Sequence, residues 1–194
     1  METRTDLLKY IVEKKKPEKY LEIGIQHGLN FDAINVIDKT GVEPFPKRIQ
    51  ENVLTMFSNQ FFESKKNTGA KYDLIFIDGL HTEEQTWEDL KNSLDFLSEN
   101  GIIVMHDALP HNEEYTSMSW CGTSYKAIMR AAQTNGLLVK TWEKDHGCAV
   151  IVKDPDPILQ ADVYTTEFED LWKNDGAIVG KCTTEEIKKF IDFL

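Results

Sequence analysis

Four side chains in two short segments carry most of the chemical potential of this chain. Phe76-Ile77-Asp78-Gly79-Leu80-His81 and Ile103-Val104-Met105-His106-Asp107 repeat one design, an apolar run of strand length that breaks into acid and imidazole. Carboxylates can hold a hard cation through oxygen, and imidazoles can accept a proton near neutral pH. Between the segments lie one amphipathic stretch of helical length and the turn Glu99-Asn100-Gly101. Strand, helix and strand in that order make a right-handed βαβ unit with parallel strands. Both strands then end on the carboxyl edge of one sheet, where open α/β folds bind ligands. Asp78, His81, His106 and Asp107 are therefore expected in one crevice.

The elements that must position them alternate along the chain. Asp6–Lys15 has helical spacing and stops before Pro17. Tyr20–Ile23 reads as a short strand, Asn30–Ile37 as a helix, and a second strand ends at Val42 before two prolines. Val53–Phe57 reads as strand, Gln60–Lys65 as a helical turn, and Asp73–Ile77 as a strand covered on both faces. Thr82-x-x-Gln85 predicts a capping box for a helix through Leu97, with Trp87, Leu90, Leu94 and Leu97 as its core stripe. Ile102–Met105 reads as strand and Ser124–Ala132 as helix. Leu137–Trp142 and Ala149–Val152 flank Lys144-Asp145-His146-Gly147, a hairpin signal that gives the sheet an antiparallel end. The segment 155–194 is polar with scattered aromatics (Tyr164, Phe168, Trp172), closes on a helix from Thr184, and is read as an appendage packed on the domain.

Composition sets ordinary bounds. A chain of 194 residues, 41% hydrophobic and 28% charged, suits one globular domain. A net charge of -11 disfavours nucleic acid and anionic membrane as partners. No apolar run approaches the roughly 20 residues of a membrane span, and the start Met1-Glu2-Thr3-Arg4-Thr5-Asp6 lacks a signal-peptide pattern. Cys121, Cys148 and Cys182 are widely spaced, reading as free thiols with no zinc spacing. A cytoplasmic location is the expectation.

A second signal lies in Tyr20-Leu21-Glu22-Ile23-Gly24-Ile25-Gln26-His27-Gly28, a strand, a glycine turn and a helix start. Gly24 permits backbone angles closed to other residues, and Gly28 permits close approach. An ordinary βα turn can also carry such glycines. Glu22 inside a strand needs a specific partner. Glu43 ends the next strand where an acid holds a ribose diol in nucleoside-binding folds. The wide spacing from Gly24 to Gly28 and the missing third glycine speak against a pyrophosphate cradle.

Together these motifs resemble a class I S-adenosylmethionine-dependent methyltransferase. The resemblance is to the small bacterial-type subgroup with a DG-x-H and a later HD motif. It rests on Leu21-Glu22-Ile23-Gly24…Gly28, Gly41-Val42-Glu43-Pro44, Asp73–Thr82 and Asn100–Asp107, and it spans roughly residues 18–152. Trp120-Cys121-Gly122 and Asp145-x-Gly147 also fit the subgroup. Gln26 departs from it, standing where such enzymes often have glycine.

The resemblance implies a single α/β domain. Its sheet would be doubly wound, mostly parallel and seven-stranded, with an antiparallel last strand and helices on both faces. The 1–16 helix precedes the core and 155–194 follows it. S-adenosylmethionine would lie along Glu22, Gly24, Gln26 and Gly28, with Glu43 on the ribose, Ser58 and Asn59 near the adenine, and Asp78 beside the methyl centre. Asp78 and Asp107 stand where related oxygen methyltransferases hold a divalent ion, magnesium or manganese. His81 and His106 are candidate bases, with Asp78 as the third catalytic residue. The expected reaction is methyl transfer to a hydroxyl of a small molecule or sugar, and a homodimer is allowed though nothing demands it.

Competing readings exist for each residue. A metal-dependent hydrolase could use the Asp/His cluster alone, and an inactive relative could merely bind a nucleoside. Asp78 and His81 could cap the helix after Thr82, and His106 could be a neutral core histidine. His27 could cap a helix or touch the cofactor, and Trp120 could line the acceptor pocket or close the sheet edge. His111 and His146 are expected to be solvent-exposed.

Overall fold

The computed structural model describes residues 1–154 and 165–194. Residues 155–164 of the expected appendage, Tyr164 among them, lie outside the described residues. Strands are β1 Lys19–Ile23, β2 Asp38–Val42, β3 Val53–Leu54, β4 Tyr72–Ile77, β5 Leu97–Met105, β6 Leu137–Trp142, β7 Cys148–Lys153 and β8 Lys181–Cys182. Helices are α1 Arg4–Lys15, α2 Leu29–Ala33, α3 Ser58–Lys65, α4 Glu83–Phe96, α5 Ser124–Ala132, α6 Phe168–Trp172 and α7 Thr184–Phe193. They build one sheet in the order β3-β2-β1-β4-β5-β7-β6-β8.

Strand alternation divides the core into two layers. Leu21, Ile23, Ile75, Ile77, Ile103 and Met105 pack against Phe61, Phe62, Leu90 and Ile128 from α3, α4 and α5. Their neighbours in the strands, Tyr20, Leu74, Phe76, Ile102 and Val104, face the other way. There they meet Leu7, Leu8 and Ile11 of α1, Phe31 of α2, and Ile187 and Ile191 of α7. Side chains of a strand alternate between faces, so a sheet covered on both sides needs continuous apolar strands. That is the doubly wound α/β class the sequence implied.

β1 pairs in parallel with both β2 and β4, and β4 with β5. The βαβ unit is therefore real, and Asp78 and Asp107 both leave the carboxyl edge. β7 runs antiparallel to β5 and β6, as the hairpin signal required. The sheet has one strand more than the expected seven, because Lys181–Cys182 adds in parallel beside β6. The appendage thus completes the sheet edge and caps one layer with α7.

Several boundaries differ from the sequence reading. α2 ends at Ala33, because Ile34 turns extended (φ -88°, ψ 115°) and is buried with Val36. Lys39 Nζ then holds the carbonyls of Phe31 and Ile34 at 2.7 and 3.0 Å. β3 is only Val53–Leu54, and Phe57 becomes the N-cap of α3. Glu99-Asn100-Gly101 is not a turn: β5 starts at Leu97 and crosses it as an irregular bulge opposite Tyr72–Leu74. The capping box of α4 is half formed. Thr82 accepts from the Gln85 amide at 3.3 Å, but the Gln85 side chain turns to Asp89 at 2.9 Å. The apolar stripe of α4 is core as expected, with Leu90 and Leu97 buried and Trp87 and Leu94 packed on them.

Candidate active site

The ladder hydrogen bonds run one residue past each strand. The Asp78 amide donates to the Ile23 carbonyl at 2.8 Å and the His106 amide to the Ile77 carbonyl at 3.1 Å. Asp78, His106 and Asp107 are thereby fixed at adjacent strand ends. Asp107 has φ +61°, a left-handed turn that Asp tolerates better than most residues.

The four expected residues meet. His81 Nε2 lies 3.3 Å from Asp107 Oδ2 and 3.6 Å from Asp78 Oδ1. His106 Nδ1 lies 3.2 Å from Asp107 Oδ1 and 3.3 Å from Asp78 Oδ1. One ligand atom each from Asp78, His81 and Asp107 fall within 4.8 Å of one another, the reach of a single ion. Neither Asp78 nor His81 caps α4; Thr82 does.

The two histidines have different surroundings. His81 Nδ1 lies against the Trp120 carbonyl, which can only accept, so Nδ1 carries the hydrogen and the lone pair of neutral His81 sits on Nε2. The loop that supplies Trp120 comes close because Gly122 adopts φ +55°, and a Cβ there would stand 2.0 Å from the His81 carbonyl oxygen. The Thr123 amide donates to that same carbonyl at 2.9 Å. His106 is enclosed instead: its side chain is only 5% exposed, against 29% for His81. Its Nε2 lies 2.7 Å from both the Asp145 carbonyl and Arg4 Nη1. Burial disfavours a charged His106, but Asp78, Asp107 and Asp145 outweigh it and raise its pKa well above the usual range. The contact with Asp78 raises that of His81 as well.

Arg4 and Asp145 belong to the same cluster and were missed in the sequence. Arg4, in the first turn of α1, lies 3.6 Å from both Asp78 Oδ2 and Asp145 Oδ1, and its amide donates to Asp145 Oδ2 at 2.6 Å. Asp145 projects from the β6–β7 turn, where Asp145, His146 and Gly147 all have positive φ. Burial works against both acids, yet His106 with His81 and Arg4 holds Asp78 far below the usual carboxylate range. His106 and Arg4 hold Asp145 at about 2. Asp145 stood in a motif segment, so its type and turn position were a usable signal; nothing in the local pattern marked Arg4.

The glycine turn follows β1. Gly24 has φ +89°, and a Cβ would stand 2.0 Å from the Asp78 carbonyl oxygen. Its angle and its neighbour both exclude a side chain. Gln26 also has positive φ, +46°, so it fills a position that geometry favours for glycine. Glu43 ties the turn down. Its Oε2 accepts the Ile25 and Gln26 amides at 3.1 and 2.9 Å, and Oε1 accepts the Phe45 amide at 2.9 Å. Glu22 has the partners its position demanded: the Tyr20 hydroxyl donates to Oε2 at 2.5 Å and Asn30 Nδ2 at 3.0 Å. It is 1% exposed, and burial pushes its carboxyl up to about 8. Ser58 opens α3 and touches Gln85, whose Nε2 lies 3.3 Å from the hydroxyl.

One cleft of about 830 Å³ is lined by Glu22, Gly24, Gln26, Gly28, Glu43, Ser58 and Asp78; Asn59, also expected near the adenine, stands outside its lining and accepts instead from Gln85 and Asn92 at 3.3 and 3.5 Å. His81, His106 and Asp107 line the cleft too, as do Arg4, Asp145 and Asp89, which the sequence reading left out. Trp120 is 50% exposed and lines the cleft, so it does not merely close a sheet edge. His27 is exposed at the cleft and caps nothing, since Gly28 is the N-cap of α2. His111 is exposed as expected. His146 is not: it is half-buried, with ring centroids 5.3 Å from Tyr115 and 5.7 Å from Trp120. Those three rings pack together beside the acids, which drew His146 out of solvent.

The donor sets fit the groups that the sequence implied. Two carboxylates and an imidazole suit magnesium or manganese. A cleft walled by the tight Gly24 turn and bordered by Glu43 suits a nucleoside with free ribose hydroxyls.

Residues 21–108 match a family model described as a methyltransferase domain. No curated protein matches the chain. Among solved structures, the S-adenosylhomocysteine-bound methyltransferase PaMTH1 of Podospora anserina is 19% identical, with 79% of this chain and 80% of that one covered at a TM-score of 0.58. A putative caffeoyl-CoA O-methyltransferase from Staphylococcus aureus is also 19% identical, covering 77% and 82% at a TM-score of 0.59. The O-methyltransferase of Bacillus cereus in complex with S-adenosylhomocysteine is 14% identical, covering 78% and 80% at 0.55. The chain has the class I S-adenosylmethionine-dependent methyltransferase fold, and its motif-bearing segment matches a methyltransferase domain, as the motifs implied.

Proposed function

We propose that this protein is an O-methyltransferase that transfers the methyl group of S-adenosylmethionine to a hydroxyl of a small molecule or sugar. The observation that carries this reading is convergence. The glycine turn with Glu43 and the cluster of Asp78, His81 and Asp107 line one cleft, side by side on one sheet edge. A metal-dependent hydrolase would need the second group but has no use for the first.

S-adenosylmethionine supplies an electrophilic methyl on a sulfonium, and a divalent ion held by Asp78 and Asp107 would lower the pKa of an acceptor hydroxyl. The chain itself must orient and deprotonate. Glu22, Gly24, Gln26 and Gly28 form the wall for the methionine part, Glu43 accepts from the ribose hydroxyls, and Ser58 lies toward the base. Holding donor and acceptor in line supplies much of the rate. Asp78 sits between the glycine turn and the cluster, so it borders both partners. His81 Nε2 takes the proton that the acceptor hydroxyl loses as it attacks. Its Nδ1 is committed to the Trp120 carbonyl, so Nε2 faces the acids and the cleft. His106 is enclosed by three acids and Arg4, and acts as a fixed cation that orients Asp78 and Asp107.

The test is mass spectrometry of purified protein with S-adenosylmethionine and a panel of hydroxylated acceptors. S-adenosylhomocysteine formation with a 14 Da gain on an acceptor oxygen supports the reading, 14 Da being about the mass of an added CH₂. Cofactor binding without turnover on any acceptor would favour an inactive relative.

A further inference from the structure

Arg4 and Thr5 open α1, and the chemistry at Asp78, His81 and Asp107 gives neither of them a task. The helix starts there because Thr3 and Asp6 form a capping box. Consecutive helical side chains diverge by about 100°, so the two residues reach different parts of the carboxyl edge. Arg4 reaches the groups that follow β4 and β5 and the β6–β7 turn. Its Nε lies 3.6 Å from Asp78 Oδ2, and its Nη1 lies 2.7 Å from His106 Nε2 and 3.6 Å from Asp145 Oδ1. Thr5 reaches the other way, toward β1. Its hydroxyl donates to Asn30 Oδ1 at 2.8 Å, and Asn30 Nδ2 donates to Glu22 Oε2 at 3.0 Å.

Docking of the helix requires neither contact. Leu7, Leu8 and Ile11 are at most 1% exposed and seat α1 on the sheet. Arg4 and Asn30, by contrast, line the cleft together with Asp78 and Glu22. The planar guanidinium presents its donors in a rigid fork, which fixes the direction of a carboxylate that meets it. The Arg4 amide also donates to Asp145 Oδ2 at 2.6 Å, so the backbone of the first turn is tied to the same cluster. Asn30 is held from Thr5 at its oxygen, and it therefore turns its amide hydrogens, not its carbonyl, to Glu22.

We propose that the first turn of α1 is a positioning element of the methyl-transfer site, in which Arg4 sets the aim of Asp78 on the acceptor side and Thr5, through Asn30, sets Glu22 on the cofactor side. The proposal rests on the methyltransferase reading above. Neither residue touches the reacting atoms; each acts through the acid it orients. Two adjacent residues of one helix thus hold the two halves of the cleft in register, which is where in-line transfer is most sensitive to small displacements.

The experiment pairs calorimetry of S-adenosylhomocysteine with methyl-transfer kinetics on the acceptor that the panel identifies, for Thr5→Val, Arg4→Ala, Arg4→Lys and Ile11→Val. Thr5→Val should weaken S-adenosylhomocysteine binding roughly 5- to 10-fold, the worth of one hydrogen bond, and leave kcat near wild type. Arg4→Ala should lower kcat roughly 10- to 100-fold, the scale of a misplaced reacting group, and leave that affinity near wild type. Arg4→Lys keeps the charge and should recover part of kcat. Ile11→Val only trims the seat of the helix, and should lower the melting temperature without moving either parameter. Thr5→Val and Arg4→Ala variants that behave as Ile11→Val does overturn the proposal, as do variants that both move the same parameter. Should Arg4→Ala fail to fold, Arg4→Lys decides, and wild-type kcat in it overturns the role of Arg4. A wild type that binds no S-adenosylhomocysteine refutes the methyltransferase reading itself. If it binds but turns over no acceptor, the reading of the reaction fails, while undiminished affinity in Thr5→Val still overturns the positioning proposal.

Discussion

His81 Nε2 lies 3.3 Å from Asp107 Oδ2, although the two residues follow different strands of the sheet. The contact exists because β4 and β5 are parallel neighbours in register, with Ile77 opposite Met105. It places a potential base and a potential ion ligand within one coordination sphere. From that pairing follow the first expectations for activity.

Chelator should abolish methyl transfer, and manganese or magnesium added back should restore it. Asp107→Asn should then raise the metal concentration needed for half-maximal activity. Turnover in excess chelator at the full rate would remove the ion and leave His81 as a plain base. The readout is initial rate against free metal.

His81→Ala should lower kcat by roughly 10²–10⁴-fold, the usual contribution of a positioned acid or base. S-adenosylhomocysteine affinity should stay close to wild type, since the imidazole lies on the acceptor side. His106→Ala should instead lower thermal stability, because it leaves Asp78, Asp107 and Asp145 facing one another with only Arg4 and His81 to balance them. Equal stability of both variants would contradict the division of roles.

Glu43→Ala should weaken S-adenosylhomocysteine binding by roughly 1.5–3 kcal/mol, typical of a hydrogen bond to a charged group. Because Glu43 also holds the Ile25 and Gln26 amides, part of that loss reflects a loosened turn. Comparing the ribose analogue lacking hydroxyls separates the two. If calorimetry shows Glu43→Ala binding as wild type does, the ribose assignment is lost.

Stability should depend on pH through Glu22. Its carboxyl is raised to about 8 in the fold by burial, against about 4.3 in an unfolded chain. The folded state therefore holds a proton that the unfolded state has released between those values. Stability from this group is full below about pH 4 and is lost as pH rises through about 8. Melting temperatures measured from about pH 5 to about pH 8, inside the range over which the group acts, should fall more steeply in the wild type than in Glu22→Gln. Parallel slopes would show that Glu22 does not carry the dependence.

Gly24→Val should unfold or strongly destabilise the protein. The new Cβ would stand 2.0 Å from the Asp78 carbonyl oxygen at a φ of +89°, a clash of backbone rather than of ligand. Circular dichroism melting is the measurement. A variant that melts as wild type does would mean that the turn relaxes freely.

The sequence by itself determined the parallel sheet and the meeting of Asp78, His81, His106 and Asp107. Apolar strands that end on charged residues, separated by one helix, can close only as a right-handed βαβ unit. It also determined that Glu22 must have a partner, since an inward acid in a covered strand has no water. What the tertiary structure decided was everything that arrives from a distance. Arg4 reaches the cluster from α1 because Leu7, Leu8 and Ile11 seat that helix on the sheet, and no local pattern encodes that docking. Asp145 and His146 reach it because the β6–β7 turn folds onto the chain leaving β5, where the Ala108 and Leu109 amides donate to the Gly147 and His146 carbonyls at 3.2 and 2.7 Å. Asp89 is buried on α4, its carboxylate accepting from Gln85 at 2.9 Å, and its place in the helix sequence does not set it apart from the exposed acids around it. Spacing along a chain fixes which residues share a strand end or a helix face; which faces meet depends on packing between elements remote in sequence.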